Sequence, residues 1–222
     1  MARYGMIVDV GRCTGCMTCV VACKHENLTE PGVWHNRVFE LQIAAMNYIA
    51  HFWYGCMHCD NPPCAKACPE QAIYKHPGGI VLVDDGKCRE RGECVRACPY
   101  KVMHVRSGQA YFDRRLPFEL ARAGNESEPS GKPAMCTLCV HRIEEGREPA
   151  CVEGCPSKAL TFGDLDDRES LIAKKVLKSE PLLPLEVTNP RVLYIIPQII
   201  PKERFVSVIN TLRQGKSIEG KI

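Results

Sequence analysis

Cys13-Thr-Gly-Cys16-Met-Thr-Cys19-Val-Val-Ala-Cys23 is the stretch from which the rest of the chain can be read. Its spacing, Cys-x2-Cys-x2-Cys-x3-Cys, puts three thiols on one tight loop, where they can reach three irons of a single cubane cluster. The fourth thiol lies a helical turn further on and points away, toward a neighbouring cluster. Working outward, the chain holds fifteen cysteines, and the others form three more groups with none left over. They are Cys56, Cys59, Cys64 and Cys68; Cys88, Cys94 and Cys98; and Cys136, Cys139, Cys151 and Cys155. The second group and the last keep the opening Cys-x-x-Cys and the closing Cys-x3-Cys, and lengthen only the middle gap. Cys68-Pro69, Cys98-Pro99 and Cys155-Pro156 share a junction at which Pro stops a short helix and turns the chain toward a strand.

Composition removes the competing classes. With 45% apolar and 25% charged residues the chain is globular and not disordered. The longest apolar stretches, Val38 to Ala50 and Val192 to Ile200, are short and interrupted by Glu40, Asn47 and Pro197, so no transmembrane segment is expected. Met1 to Gly5 lacks the charged and apolar regions of a targeting signal, and the expected location is the cytoplasm, with co-export beside a signal-bearing partner as the alternative. A formal charge of +3 is too small for nucleic acid, and four clusters of about −2 each would bring it to roughly −5. A disulfide framework calls for an even count in a short secreted chain, and zinc ribbons have no role for a further Cys followed by Pro.

Between the second and third groups, Ala72 to Lys75 and Ile80 to Val83 flank His76-Pro77-Gly78-Gly79 and read as a hairpin. Val102 to Arg106 and Gln109 to Phe112 flank Ser107-Gly108 and read as another. Ala123 to Pro133 is a polar, Pro/Gly-rich loop. The second and third groups thus form one contiguous unit, and the first and last pair across it. Beyond Asp164 the tail is punctuated by prolines, with amphipathic helices expected near Arg168 to Leu177 and near Phe205 to Gln214. So much of each half is loop that stability is expected from thiolate–iron bonds in place of a broad apolar core.

These runs resemble bacterial ferredoxins. With Ile7-Val8-Asp9, Cys136-Thr-Leu-Cys139, His141-Arg142, Glu148 to Glu153, Phe162 to Asp167 and Asn189-Pro190-Arg191-Val192, the chain from Tyr4 to Tyr194 resembles the four-cluster electron-transfer subunit of the molybdopterin (dimethyl sulfoxide reductase) superfamily. The similarity is to the subunits of arsenate, polysulfide and transhydroxylase-like enzymes. The implied fold is α+β, with two bacterial-ferredoxin-like units, each for two 4Fe-4S clusters, one inserted in the other, and an extended C-terminal tail. Residues 1–50 and 130–165 would form the first unit, 51–115 the inserted second, 116–133 a linker, and 166–222 a partner-wrapping extension.

The resemblance implies interleaved ligand sets. Cys13, Cys16, Cys19 and Cys155 would hold one 4Fe-4S cluster, and Cys136, Cys139, Cys151 and Cys23 a second. Cys56, Cys59, Cys64 and Cys98 would hold a third. Cys68, Cys88 and Cys94 would hold the fourth, whose remaining ligand position carries Arg91 at unchanged loop length. Arg is a poor iron ligand. A 3Fe-4S cluster is expected there, the alternatives being a labile 4Fe-4S cluster completed by Glu90 or Glu93, or an empty site. No constellation for substrate chemistry stands out, so the implied role is electron transfer to or from a molybdenum or tungsten bis-pterin catalytic subunit, with a membrane quinone-reactive subunit or a soluble carrier beyond it. A free polyferredoxin or a hydrogenase-type subunit is the alternative. His58 reads as loop packing, Trp34 and Trp53 as core or interface anchors. Lys87, Arg89, Arg91, Arg96 and Lys101 form a basic set around Cys88, Cys94 and Cys98 that reads as neutralising cluster charge, with docking of a redox partner as the alternative.

Overall fold

The computed structural model describes residues 2–43, 47–109, 111–112, 117, 130–183 and 188–213. Its centre is β1 (Tyr4–Asp9), whose residues Gly5 to Val8 are buried on both faces. β1 pairs antiparallel with β8 (Leu160–Asp164), Met6 opposite Phe162, and parallel with β9 (Val192–Ile195), Val8 opposite Tyr194. The first cysteine loop leaves the end of β1, and β8 follows Cys155-Pro156, so this ladder brings the cysteine run that begins at Cys13 and the one that ends at Cys155 to one side of the molecule.

β2 (Asn36–Ile43) and β3 (Tyr48–Gly55) form an antiparallel hairpin with eight facing residue pairs, from Asn36 opposite Gly55 to Ile43 opposite Tyr48. This pair runs across residues 50 and 51. Its inner face builds an aromatic layer in which the Phe52 ring lies 5.9 Å from Phe39, 5.0 Å from Phe205 and 6.4 Å from Tyr194. Tyr194 Oη donates to the Trp53 carbonyl at 3.1 Å. A broad apolar core therefore exists, contrary to the expectation above. It was hidden because its members come from residues 38–54, 192–200 and 205, far apart in the chain.

The tail contributes to that core through β9 and through Phe205 on α7 (Lys202–Arg213), while Leu171 and Leu177, in and after α6 (Leu171–Val176), stay exposed. Ser170 caps α6 by accepting from the Ala173 N–H at 3.2 Å. Arg191 locks the tail to the rest. It donates to Asp60 Oδ1 at 2.6 Å and to the Gly78 carbonyl at 2.5 Å. Among the described residues no helix is long and apolar enough to cross a membrane.

The first expected hairpin forms, as β4 (Ile73–Lys75) against β5 (Val81–Val83), with Gly78 and Gly79 supplying positive φ in the turn. The second, whose far arm includes residue 110 outside the described residues, is not seen among the others. Instead β6 (His104–Val105) pairs with β7 (Pro133–Ala134), and the Arg106 N–H continues the ladder to the Lys132 carbonyl. The chain is pulled out of a local turn at Ser107 and Gly108 because both of their N–H groups donate to the buried Glu30 carboxylate, Gly108 at 2.6 Å. The expected linker at 116–133 lies outside the described residues except for 117 and 130–133.

Candidate iron–sulfur centres

Four loops share one backbone. In each, the second residue after the leading cysteine has positive φ: Gly15 (71°), His58 (43°), Glu90 (60°) and Leu138 (52°). Three of these are not glycine, so the left-handed turn is imposed by the loop. The turn aims that residue's N–H back at the leading thiol. His58 donates to Cys56 Sγ at 3.5 Å, Glu90 to Cys88 Sγ at 3.4 Å and Leu138 to Cys136 Sγ at 3.3 Å, and Gly15 does the same for Cys13. The Cys-Pro junctions repeat too. Three residues beyond each cysteine, Gln71, Lys101 and Lys158 have φ near 50° and close a turn onto the cysteine carbonyl at 3.1, 3.3 and 3.2 Å.

The thiols gather in four groups. Burial, then the charges of Cys13, Cys155 and Cys16, pushes the Cys19 thiol up to about 12. Burial and then Cys136 and Cys139 push Cys23 up, and Cys151 is raised well above the usual thiol range by burial, Cys136, Cys23 and Cys139. Burial and then Cys98 act on Cys64, held at about 12, while Cys59 is pushed to about 11 by burial and the same Cys98. Cys94 is raised by burial and by Cys68 and Cys88. Across the groups, Cys19 acts on Cys23 and Cys151 and Cys94 on Cys64, while Cys56 is raised by burial and then by Cys136 ahead of Cys64 and Cys59.

The donor set fits cubane clusters. All fifteen cysteines are free thiols, and the sulfurs of Cys56, Cys88 and Cys136 already accept N–H groups aimed as thiolate partners. Among the described residues no three His, Cys, Asp or Glu side chains converge on one metal ion, whereas a cubane spreads its thiolates over separate irons.

The group of Cys68, Cys88 and Cys94 is more open than the two groups in the middle of the row. Cys68, Cys88 and Cys94 line one pocket together with Glu70, Arg91 and Val105. The Arg91 guanidinium is more than half exposed and forms an ion pair with Glu70 at 2.8 Å. Glu90 lies against Gly131, where an added Cβ would come within 2.7 Å of its carboxylate, and Glu93 pairs with Arg96 at 3.8 Å. Of the basic set, Lys87 pairs with Asp84 at 3.4 Å and Lys101 donates to the Arg96 carbonyl at 2.8 Å. Much of this positive charge is thus balanced locally.

His58 is 1% exposed. Its Nδ1 accepts the Val81 N–H at 3.2 Å, and burial pushes its pKa down to about 3, which keeps the ring neutral as a packing group. Trp53 is a core residue, and Trp34 stacks under the Lys24 ammonium at 4.7 Å. His141-Arg142 and Glu148 to Glu153 acquire a physical reason. Arg142, 4% exposed, ties Glu26 on α1 (Thr18–Asn27) at 2.9 Å to Glu153 on α5 (Ala150–Glu153) and to the Glu148 carbonyl at 2.8 Å, clamping the segments that carry Cys23, Cys139 and Cys151. Sequence reading passed over Glu26, Glu70 and Asn27. The signals were present for Asn27 alone: it lies four residues beyond Cys23, the one closing cysteine of a Cys-x3-Cys run without a following proline.

A family model described as a 4Fe-4S dicluster domain matches residues 47–114 and 105–165. The arsenate respiratory reductase iron–sulfur subunit of Shewanella is 32% identical over 87% of this chain and 96% of that protein. The B subunit of the anaerobic dimethyl sulfoxide reductase of Escherichia coli is 32% identical over 90% and 88%. The B subunit of the polysulfide reductase of Wolinella succinogenes is 36% identical over 88% and 94%.

Proposed function

The chain belongs to the family of iron–sulfur B subunits of dimethyl sulfoxide, arsenate and polysulfide reductases, and from that premise we propose that it wires a molybdenum or tungsten bis-pterin catalytic subunit to its electron partner through four clusters in a row. It is an electron-transfer subunit, and substrate chemistry takes place on the partner chain. The observation that carries this reading is the repeated loop that aims an N–H at each leading cysteine, with β1 and β8 bringing the first and last loops together. The proposed row runs from Cys13, Cys16, Cys19 and Cys155 to Cys23, Cys136, Cys139 and Cys151, then to Cys56, Cys59, Cys64 and Cys98, and ends at Cys68, Cys88 and Cys94; the mutual influence of Cys13, Cys16, Cys19 and Cys155, and of Cys68, Cys88 and Cys94, supports its two ends. We assign these as the four ligand sets, on two nested ferredoxin-like units. The pairing of β1 with β8 supports the nesting.

When bound, such clusters supply one-electron transfer. The chain's own part is to hold thiolates on fixed loops, aim N–H groups at them, and bury the middle of the row away from water. Cys16, exposed at one end, and Cys68 and Cys88, half-buried at the other, leave both ends within reach of partners. We assign the Cys13 end to the catalytic subunit.

For the last site we propose a 3Fe-4S cluster. Three thiols remain at unchanged loop geometry, Arg91 is drawn to Glu70, and Glu93 is paired with Arg96. Electron paramagnetic resonance of oxidised protein should show a 3Fe-4S signal that vanishes on mild reduction, and Arg91→Cys should replace it with a fourth 4Fe-4S signal. A silent oxidised spectrum in iron-replete protein contradicts this. Cys16→Ser should block reduction of the row by the catalytic subunit's substrate, and normal reduction of the other clusters contradicts the order.

A further inference from the structure

Three of the closing cysteines are followed by Pro, and at each the helix stops. Cys23 is followed by Lys24, and α1 runs one turn further, to Asn27. That extra turn returns a side-chain amide to the cysteine. Asn27 Nδ2 donates to the Cys23 carbonyl at 2.9 Å, which fixes its orientation, and reaches Cys23 Sγ at 3.4 Å and Cys139 Sγ at 3.9 Å. The two sulfurs come from segments 116 residues apart in sequence, and one side-chain amide reaches both.

We propose that Asn27 is a positioning and tuning residue that raises the reduction potential of the second cluster by donating to two of its thiolates at once. This rests on the ligand set assigned above. Reduction adds one electron to an already anionic site, and hydrogen bonds to the sulfurs favour the more negative state. A neutral amide provides this at any pH. Its neighbour Glu26 would oppose it, but that carboxylate is held by Arg142 at 2.9 Å and by His141 at 2.8 Å.

The test is a redox titration of the full, cluster-loaded chain followed by electron paramagnetic resonance, with iron counted per chain. Cys23→Ser and Cys139→Ser first identify which signal belongs to the second cluster. If they disturb two different signals, the ligand set fails and this inference with it. Asn27→Leu should then lower the reduced-to-oxidised ratio of that cluster about tenfold at a given potential, about 59 mV for a one-electron couple. Asn27→Asp, of the same shape, should lower it further, and the other clusters should not move. An unmoved midpoint with the signal intact overturns the proposal. So does loss of the cluster in both variants, which would make Asn27 a structural tie alone.

Discussion

Around Cys23, Cys136, Cys139 and Cys151 the protein closes over every thiol, whereas around Cys68, Cys88 and Cys94 it leaves two of three half-exposed and sets Arg91 on the surface. The leading loops of both groups nonetheless share one turn, with the N–H of Leu138 or Glu90 aimed at the leading sulfur. The difference lies in what packs against the loop. The buried group is held by the Arg142 clamp and by the close approach of α1 to α5, where an added Cβ on Gly154 would stand 3.4 Å from that of Ala22. The open group has the short α2 (Pro63–Lys66) and α3 (Glu93–Ala97) and an exposed ion pair. Local sequence therefore makes a cluster loop, and tertiary packing decides how firmly it is held.

That contrast breaks if matched ligand deletions behave alike. Cys151→Ser removes a buried thiol that we assign to the second cluster, where metal-binding energy would also be folding energy, and should cost roughly the whole 5–15 kcal/mol margin of a typical domain. Cys88→Ser should remove iron from the fourth site and leave cooperative melting within a few degrees. Circular dichroism melts with iron counts check both. Equal losses would mean that the end site is as structural as the middle.

The aromatic layer sharpens the comparison from the other side. Phe52 is fully buried against Phe39, Tyr194 and Phe205, and Phe52→Ala should cost about 3–5 kcal/mol in denaturant melts. Iron per chain should not change. Loss of iron in parallel with stability would show that the apolar layer and the cysteine loops are one cooperative unit.

What could be read in advance follows from locality. The four cysteine groups, the β4–β5 hairpin and the stops after Cys68, Cys98 and Cys155 are specified by residues a few positions apart. The alternation of Leu41 and Ile43 with Glu40 and Gln42 also carried β2, although the stretch drew attention only as an apolar run. Nothing near Val105 announces Pro133 as its partner, and nothing near Tyr194 announces β1, because both pairings close over long separations. Arg91 was legible as a missing ligand. Its ion pair with Glu70 was not, since Glu70 follows a different cysteine group.

Acid should act at His35. His35 Nδ1 is buried without a hydrogen-bond partner, and burial, then the charges of His104, Lys24 and Arg106, push its pKa down to about 4. The unfolded ring binds a proton near 6.5, so between 6.5 and 4 the unfolded state holds more protons and stability falls as pH falls. The loss should be on the order of 3 kcal/mol, and His35→Gln should flatten that part of the pH–stability curve. The smallest effect is at Glu70. Glu70→Gln frees the Arg91 charge beside Cys68 and should change stability by less than about 1 kcal/mol, while raising the midpoint of the fourth site alone.

The most direct test of the row itself is a count of iron and acid-labile sulfide per chain in anaerobically purified protein. Three 4Fe-4S clusters and one 3Fe-4S cluster predict about 15 irons and about 16 sulfides. About 8 irons, or zinc in place of iron, would contradict a chain of four iron–sulfur sites.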